Sequence, residues 1–516
     1  MGNRSIDDLL QERLAMAPDD TFLVFEDREG EVSELTYAEF DQRVEDCARG
    51  LHALGVEQAG RVVVHLRNCP EFLIAWFAIA RLGAIMVPSN VANTVGELEH
   101  VVGFTEASHA ITQPDYGDAM QRGIAAAGTD TTLIIARGRL AGFFAFDDLP
   151  TLSQEPAPRP AVSGDDVAEL LFTSGTTSKP KAVMLTHANC LRAGLDSVQC
   201  LWLDRGERCL TALPLFHVNG QGLTILAAMT VGGTAIVVEE FSASRFWKQV
   251  KRHRATQTAI VAMQLRTLIA QEPDPSDREH DVRRVFYAIN VTDQEKEEFE
   301  RRYNISLING YGLSEAMTLL ACAPVAAPRR WPSIGLPSAG RTLLLLDEDG
   351  NEVPPGQVGE IVARGIPGRS IMLGYYKDEQ ATAQAIRGDL LHTGDNAYAD
   401  EDGFLYFFDR KKDMIKRAGE NVSALEVEAV VSDHPLVEDV AVVGVPDAIR
   451  DEAVAAVVVA AAGAELTAED VIAHCTERLS RFKVPTVVAF EPALPKTSIG
   501  KIRKDVLRKK IESSPA

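Results

Sequence analysis

Short strand-like runs rich in Val, Ile and Leu, Arg61–Leu66, Leu133–Ala136 and Thr234–Val238, recur along the chain with helical stretches between them. A mostly apolar run without polar alternation suits a strand covered on both faces, and strands joined through helices pair in parallel. The alternation predicts an α/β fold, with a large N-terminal domain of parallel-sheet α/β lobes. At 516 residues the chain exceeds what one hydrophobic core supports, so at least two globular units are expected. The proline stack Pro156-Ala-Pro-Arg-Pro-Ala161 reads as a loop joining two lobes, because prolines continue neither a helix nor a central strand.

From Thr342 the texture changes to short strands with turn signals at Asp347–Asn351 and Val353–Gly356, a β-rich subdomain. Past Asp409 come a charged stretch, a helical pattern over Ser423–Ser432 and the apolar run Val440–Val445, which together suit a small α+β domain. The main boundary falls near Lys412.

The formal charge of -22 opposes a phosphate backbone and excludes nucleic acid as the expected partner. The seven cysteines (47, 69, 190, 200, 209, 322 and 475) are scattered without a C-x-x-C pair, so neither a disulfide framework nor a zinc site is expected. The N-terminus has no apolar signal core, and the window Phe72–Val87 is broken by Arg81. It reads as a core helix of a cytoplasmic protein with no membrane insertion.

In Leu170-Leu-Phe-Thr-Ser-Gly-Thr-Thr-Ser-Lys-Pro-Lys181 an apolar strand runs into six small or hydroxylated residues and then two lysines. Backbone N–H groups and hydroxyls can converge there on anionic oxygens while Lys179 and Lys181 add positive charge, the makings of a phosphate grip. A surface turn is the alternative for such a run in isolation. The spacing is not that of a Walker loop.

Further along stand Asn309-Gly-Tyr-Gly-Leu-Ser-Glu315, Leu391-His-Thr-Gly-Asp395, Asp402 to Arg410, Lys416 to Glu428, and Pro495-Lys-Thr-Ser-Ile-Gly-Lys501. In content and order these motifs resemble those of the adenylate-forming superfamily of acyl-CoA synthetases, nonribosomal-peptide adenylation domains and luciferases. The first differs from the family pattern at Ser178 and Ala182, where glycine is usual.

The resemblance implies a role for each motif. Thr173, Ser174, Gly175, Thr176, Thr177 and Lys181 would close on the β- and γ-phosphates of ATP. Glu315 would hold Mg²⁺, with Thr173 or Thr176 as further ligands, since a hard cation bridging phosphates takes carboxylate oxygen. Tyr311 and Gly312 would border the adenine and Ser314 the α-phosphate. Asp395 would take the ribose hydroxyls with Arg410 as second anchor. Lys412 falls at the family's hinge, giving domains of 1–409 and 413–516 around a 410–412 hinge. Gly419 would lie along the pantetheine arm of coenzyme A, and Lys501 would bridge the substrate carboxylate and the α-phosphate.

Family position also puts the acyl pocket among Phe216, His217, Asn219, Gln221, Met263, Gln264, Asn290, Gly310, Ala316 and Met317. His217 would order the adenylation site. The amides of Asn219, Gln221, Gln264 and Asn290 either recognise a polar group on the acid or satisfy backbone. The stretch Ala288-Ile-Asn-Val-Thr-Asp293 is bulkier than the family's glycines and proline, so an unbranched fatty acid is not the expected substrate.

The expected activity is ligation of a small carboxylic acid to coenzyme A through an acyl-adenylate. Loading of an acyl carrier protein, adenylation alone, activation of an inorganic oxyacid and a non-catalytic scaffold stay open, as does a homo-oligomer. Arg329–Gly335, Gly365–Gly368, Gly419–Ser423 and Asp447–Ala453 look most like the crotonobetaine/carnitine-CoA ligases.

Overall fold

The computed structural model describes residues 3–173, 180–288, 291–410, 413–417, 420–447, 451–479, 481–496 and 502–513. The chain divides into two compact units, 1–343 with 363–391, and 344–362 with 392–516.

The first unit is mixed α/β, as the alternation predicts, with two large sheets. In one, Thr21–Glu26, Thr234–Val238, Arg208–Thr211, Gln257–Val261 and Arg284–Ala288 are neighbours in parallel. In the other, Arg61–His65 lies in parallel between Ile85–Pro88 and His109–Thr112, with Thr132–Ile135 beyond. All three apolar runs singled out above are buried strands. Helix α1 (Pro70–Arg81) accounts for the apolar window: Phe72 to Arg81 are all buried. The fully buried Arg81 side chain is held by Asp7 at 2.9 Å, Glu45 at 3.1 Å and Asp41, the carboxylate company a charge needs in a core. No helix among the described residues is long and apolar enough to cross a membrane.

The proline stack is a loop, but it does not lead into a new lobe. It carries the chain from Phe144–Ala145 back into the same eight-stranded sheet at strand β1 (Val167–Thr173). Prolines mark a break in regular structure and are silent on where the next strand inserts. Strand β2 (Lys181–Thr186) returns antiparallel to β1 and passes without a loop into helix α2 (His187–Leu201). Thr186 Oγ1 accepts from the Asn189 N–H at 3.2 Å, and Asn189 Oδ1 accepts from the Thr186 N–H at 3.1 Å, a reciprocal cap that sets the helix start.

Strand β3 (Ser306–Leu313) continues the parallel part of the first sheet beside Arg284–Ala288, and β4 (Thr318–Cys322) turns back antiparallel to it. The short strand β5 (Gly374–Tyr375) pairs with β2.

In the second unit, β6 (Leu390–Ala399) and β7 (Leu405–Arg410) form an antiparallel pair in the β-rich sheet. Helix α3 (Ala424–Ser432) follows, N-capped by Ser423 as the pattern over 423–432 predicts. The apolar run 440–445 lies inside the strand Val437–Asp447, which pairs with Asp451–Ala460 over a core of Ile415, Val427, Val431, Val442 and Val454.

Candidate active site

The hairpin of β1 and β2 fixes the two ends of the phosphate-grip loop. Thr173 and Lys181 are register partners, and the Thr173 hydroxyl donates to the Lys181 carbonyl at 3.5 Å. Ser174, Gly175, Thr176 and Thr177 lie outside the described residues. Lys181 Nζ sits 4.7 Å from the centroid of the Tyr375 ring, within cation–π range. On the same side chain, the Tyr375 hydroxyl donates to Glu315 Oε1 at 2.8 Å. Burial, and then the Glu315 carboxylate, push the Tyr375 phenol above its ordinary range, so it keeps the proton it donates. The sequence gives no hint of Tyr375; pairing of β5 with β2 is what delivers it.

Glu315 stands on the tight turn between β3 and β4. A Cβ on Gly312 would lie 1.7 Å from the Thr318 carbonyl oxygen, and one on Gly310 would lie 2.5 Å from the Phe286 ring. Only hydrogen fits at either position. Tyr311, Ala316 and Met317 are buried, while Ser314 and Glu315 are half-buried. Met317 at φ 45° and Thr318 at φ 91° are in the left-handed region without being glycine. Such conformations cost about 1–3 kcal/mol each and persist only where surrounding contacts impose them. One such contact is the Met372 N–H, which donates to the Glu315 carbonyl at 2.6 Å.

The expected acyl-pocket residues are not equally available. The His217 ring packs on Phe216, centroids 4.8 Å apart, at the start of the helical turn Val218–Gly220. Asn219 is half-buried. Gln221 opens a π-helical segment, Gln221–Leu226, a rare geometry frequent at functional sites. It is fully buried and faces Glu169 of β1. Burial pushes the Glu169 carboxyl up to about 8 against the pull of the Gln221, Trp76 and Cys190 side chains around it. Gln264 is committed to backbone: its Oε1 accepts from the Val261 N–H at 3.1 Å, capping the helix Ala262–Ile269. Asn290 lies outside the described residues.

In the second unit Asp395 and Arg410 are direct register partners across β6 and β7, so the two residues expected at the ribose share one place. The turn before Asp395 is built around Glu360. Its Oε1 accepts from the Gly394 N–H at 3.1 Å, and its Oε2 lies 3.2 Å from His392 Nδ1. Asp409, which the motif reading passed over, is buried, and its Oδ2 accepts from Ser423 Oγ at 3.1 Å and from the Leu425 N–H at 3.3 Å. Lys412, Gly419 and Lys501 lie outside the described residues. Arg417 and Glu420 are register partners on either side of 418–419, and Lys496 bridges to Ile502 on either side of 497–501.

No group of three or more His, Cys, Asp or Glu able to hold a metal occurs among the described residues. A lone half-buried carboxylate such as Glu315 fits a Mg²⁺ that takes its remaining oxygens from phosphates and water, the usual economy of that ion. It does not fit a metal held by protein alone.

The profile of the family described as AMP-binding enzyme matches residues 10–376, and that of the AMP-binding enzyme C-terminal domain matches 426–501. The crotonobetaine/carnitine–CoA ligase of Proteus mirabilis (strain HI4320) is 38% identical over 504 residues, 95% of this chain and 96% of the relative. That of Salmonella enteritidis PT4 (strain P125109) is 36% identical over 520 residues, 98% of this chain and 99% of the relative. Among solved structures, ATP-bound MatB from Rhodopseudomonas palustris superposes with a TM-score of 0.88 at 25% identity, covering 99% of both chains. An anthranilate CoA ligase in complex with anthranoyl-AMP has the same fold, with a TM-score of 0.88 at 24% identity over 99% of this chain and 98% of its own.

Proposed function

This chain belongs to the AMP-binding enzyme family, and we propose that the acid it activates is a short polar carboxylate of the crotonobetaine/carnitine kind. It is an ATP-dependent acid–thiol ligase. The carboxylate attacks the α-phosphorus of ATP, pyrophosphate leaves, and the coenzyme A thiol then displaces AMP from the acyl-adenylate.

The observation that carries the site assignment is the line of Lys181, Tyr375 and Glu315. Lys181, at the foot of the loop, offers its ammonium to phosphate oxygens. Tyr375 remains protonated and orients Glu315 through its hydroxyl. Glu315 would hold Mg²⁺, which when bound neutralises phosphate charge. Asp395 accepts from the ribose hydroxyls beside Arg410, and Lys501 supplies the ammonium between acid and α-phosphate. A turn of the chain at 410–412 then exchanges Lys501 for Gly419 and admits the thiol. We place these steps in the cytoplasm, where the free cysteines stay reduced.

Two features support a polar acid over a long alkyl chain: the names of the full-length relatives, and the half-buried Asn219 amide beside the His217 turn. The test is ATP–pyrophosphate exchange over betaine-type, short polar, aryl and fatty acids, with products weighed with and without coenzyme A. Exchange and a CoA thioester with a betaine-type acid are expected. Preference for a fatty or aryl acid would sink the substrate assignment, and exchange without a thioester would move the acceptor to a carrier protein.

A further inference from the structure

The turn between β3 and β4 carries two non-glycine residues at positive φ, Met317 and Thr318, so something outside it must hold it. Besides Tyr375, which holds the Glu315 carboxylate, the Arg341 side chain reaches the turn's backbone. This guanidinium is almost wholly buried, 2% exposed, and its Nη2 donates to the Ala316 carbonyl at 3.1 Å. Its Nη1 donates to the Ser370 carbonyl, in the segment that runs on to Met372 and its bond with the Glu315 carbonyl. Asp196 on α2, completely buried, fixes the guanidinium edge-on, with Oδ2 3.0 Å from Nε and 2.7 Å from Nη2.

Asp196 is itself shared, since its Oδ1 accepts from Arg192 Nε at 2.5 Å. Arg192 in turn donates to the Ala339 carbonyl at 2.8 Å, two residues before Arg341. The backbone of that stretch is tied to β4 through the Ser338 N–H, which donates to the Leu320 carbonyl at 2.9 Å. A planar five-donor fork serving a carboxylate and two carbonyls is something lysine cannot copy.

We propose that Arg341, fixed by Asp196, is a positioning residue for adenylation that clamps the strained turn bearing Glu315 and the pocket residues Ala316 and Met317. It touches no reacting atom. It acts by keeping the Ala316 carbonyl turned inward, which presents the Glu315 carboxylate to Tyr375 and sets Met317 in the pocket wall. The proposal rests on the adenylating role assigned to that turn above.

The test uses the full chain and compares Arg341→Met, Arg341→Lys and Asp196→Asn with wild type in ATP–pyrophosphate exchange. Tryptophan fluorescence during urea unfolding checks each variant's fold. Arg341→Met should lower the exchange kcat about 10- to 100-fold, the effect of losing hydrogen bonds from a charged donor. The KM for ATP should move less than about threefold, because the ribose and phosphate contacts remain. Thr318→Gly, placed in the Arg341→Met chain, should restore about fivefold of the lost rate, because glycine adopts that φ without strain. Thr318 Oγ1 is buried without a hydrogen-bond partner, so its removal breaks no bond.

Exchange at the wild-type rate in Arg341→Met and Asp196→Asn overturns the proposal. So does a loss that follows stability alone and is deepened by Thr318→Gly. If Arg341→Met does not fold, Arg341→Lys and Asp196→Asn carry the same comparison. Absence of exchange in wild type with every acid would instead strike the adenylating assignment itself.

Discussion

Replacing Glu169 by Gln should make the enzyme more stable, and increasingly so as pH rises. Glu169 is fully buried on β1, among Gln221, Trp76 and Cys190, and burial lifts its carboxyl from 4.5 to about 8. Across that interval the folded unit keeps a proton that the unfolded chain has released. The wild type therefore loses about 1.4 kcal/mol of stability for each pH unit gained, and nothing further above pH 8. Glutamine has the shape of the protonated carboxyl and does not titrate. Near pH 5 the two proteins should differ by less than about 1 kcal/mol, and by pH 8 the variant should be ahead by a further ~3.5 kcal/mol. All four tryptophans, 76, 202, 247 and 331, lie in the first unit, so their fluorescence during urea unfolding reports the right part of the chain. The other titrating groups cancel in the difference between the proteins. A gap that stays constant from pH 5 to pH 8, or that closes, would show that Glu169 is ionised in the fold and refute the reasoning.

Tyr375→Phe removes the donor to Glu315 and should slow pyrophosphate exchange about 10- to 100-fold, the range for a hydrogen bond to a charged group; an unchanged rate across a Mg²⁺ titration would remove Tyr375 from the site. Lys501→Ala should abolish adenylate formation but leave thiol transfer from supplied acyl-adenylate largely intact, and loss of both would count against its assigned task. Among the thiols, Cys200 should be alkylated first. The Cys322 thiol beside it lowers its proton affinity, it is half-buried where the other six cysteines are buried, and peptide mapping after one equivalent of label decides the matter.

Local pattern carried the fold a long way. Arg61–Leu66, Leu133–Ala136 and Thr234–Val238 form strands because their apolar side chains without polar alternation are covered on both faces, and the Ser423 helix starts where its cap residue stands. Asp395 and Arg410 were legible as a pair, and strand register puts them opposite each other. What local pattern does not encode is which distant side chain fills a gap. Tyr375 reaches Glu315 only because β5 pairs with β2, and Arg341 reaches Asp196 across 145 residues. Gln264 was open in the sequence between substrate and backbone, and the helix start needed an acceptor: its Oε1 takes the Val261 N–H, three residues earlier. Glu169 did leave a trace, one acid inside the otherwise apolar Val167–Phe172, and an acid there is either paired or protonated.

The two bonds that Asp409 accepts from Ser423 and Leu425 act across the proposed 410–412 turning point. If the chain turns there as proposed, both would have to break, and each bond to a charged acceptor contributes roughly 1.5–3 kcal/mol. On that proposal Asp409 would act as a latch between the two sides of the turning point. Under that proposal, ligands would have to favour the turned arrangement by about a hundredfold or more to offset the two bonds, so the change of half-reaction would be gated by what is bound.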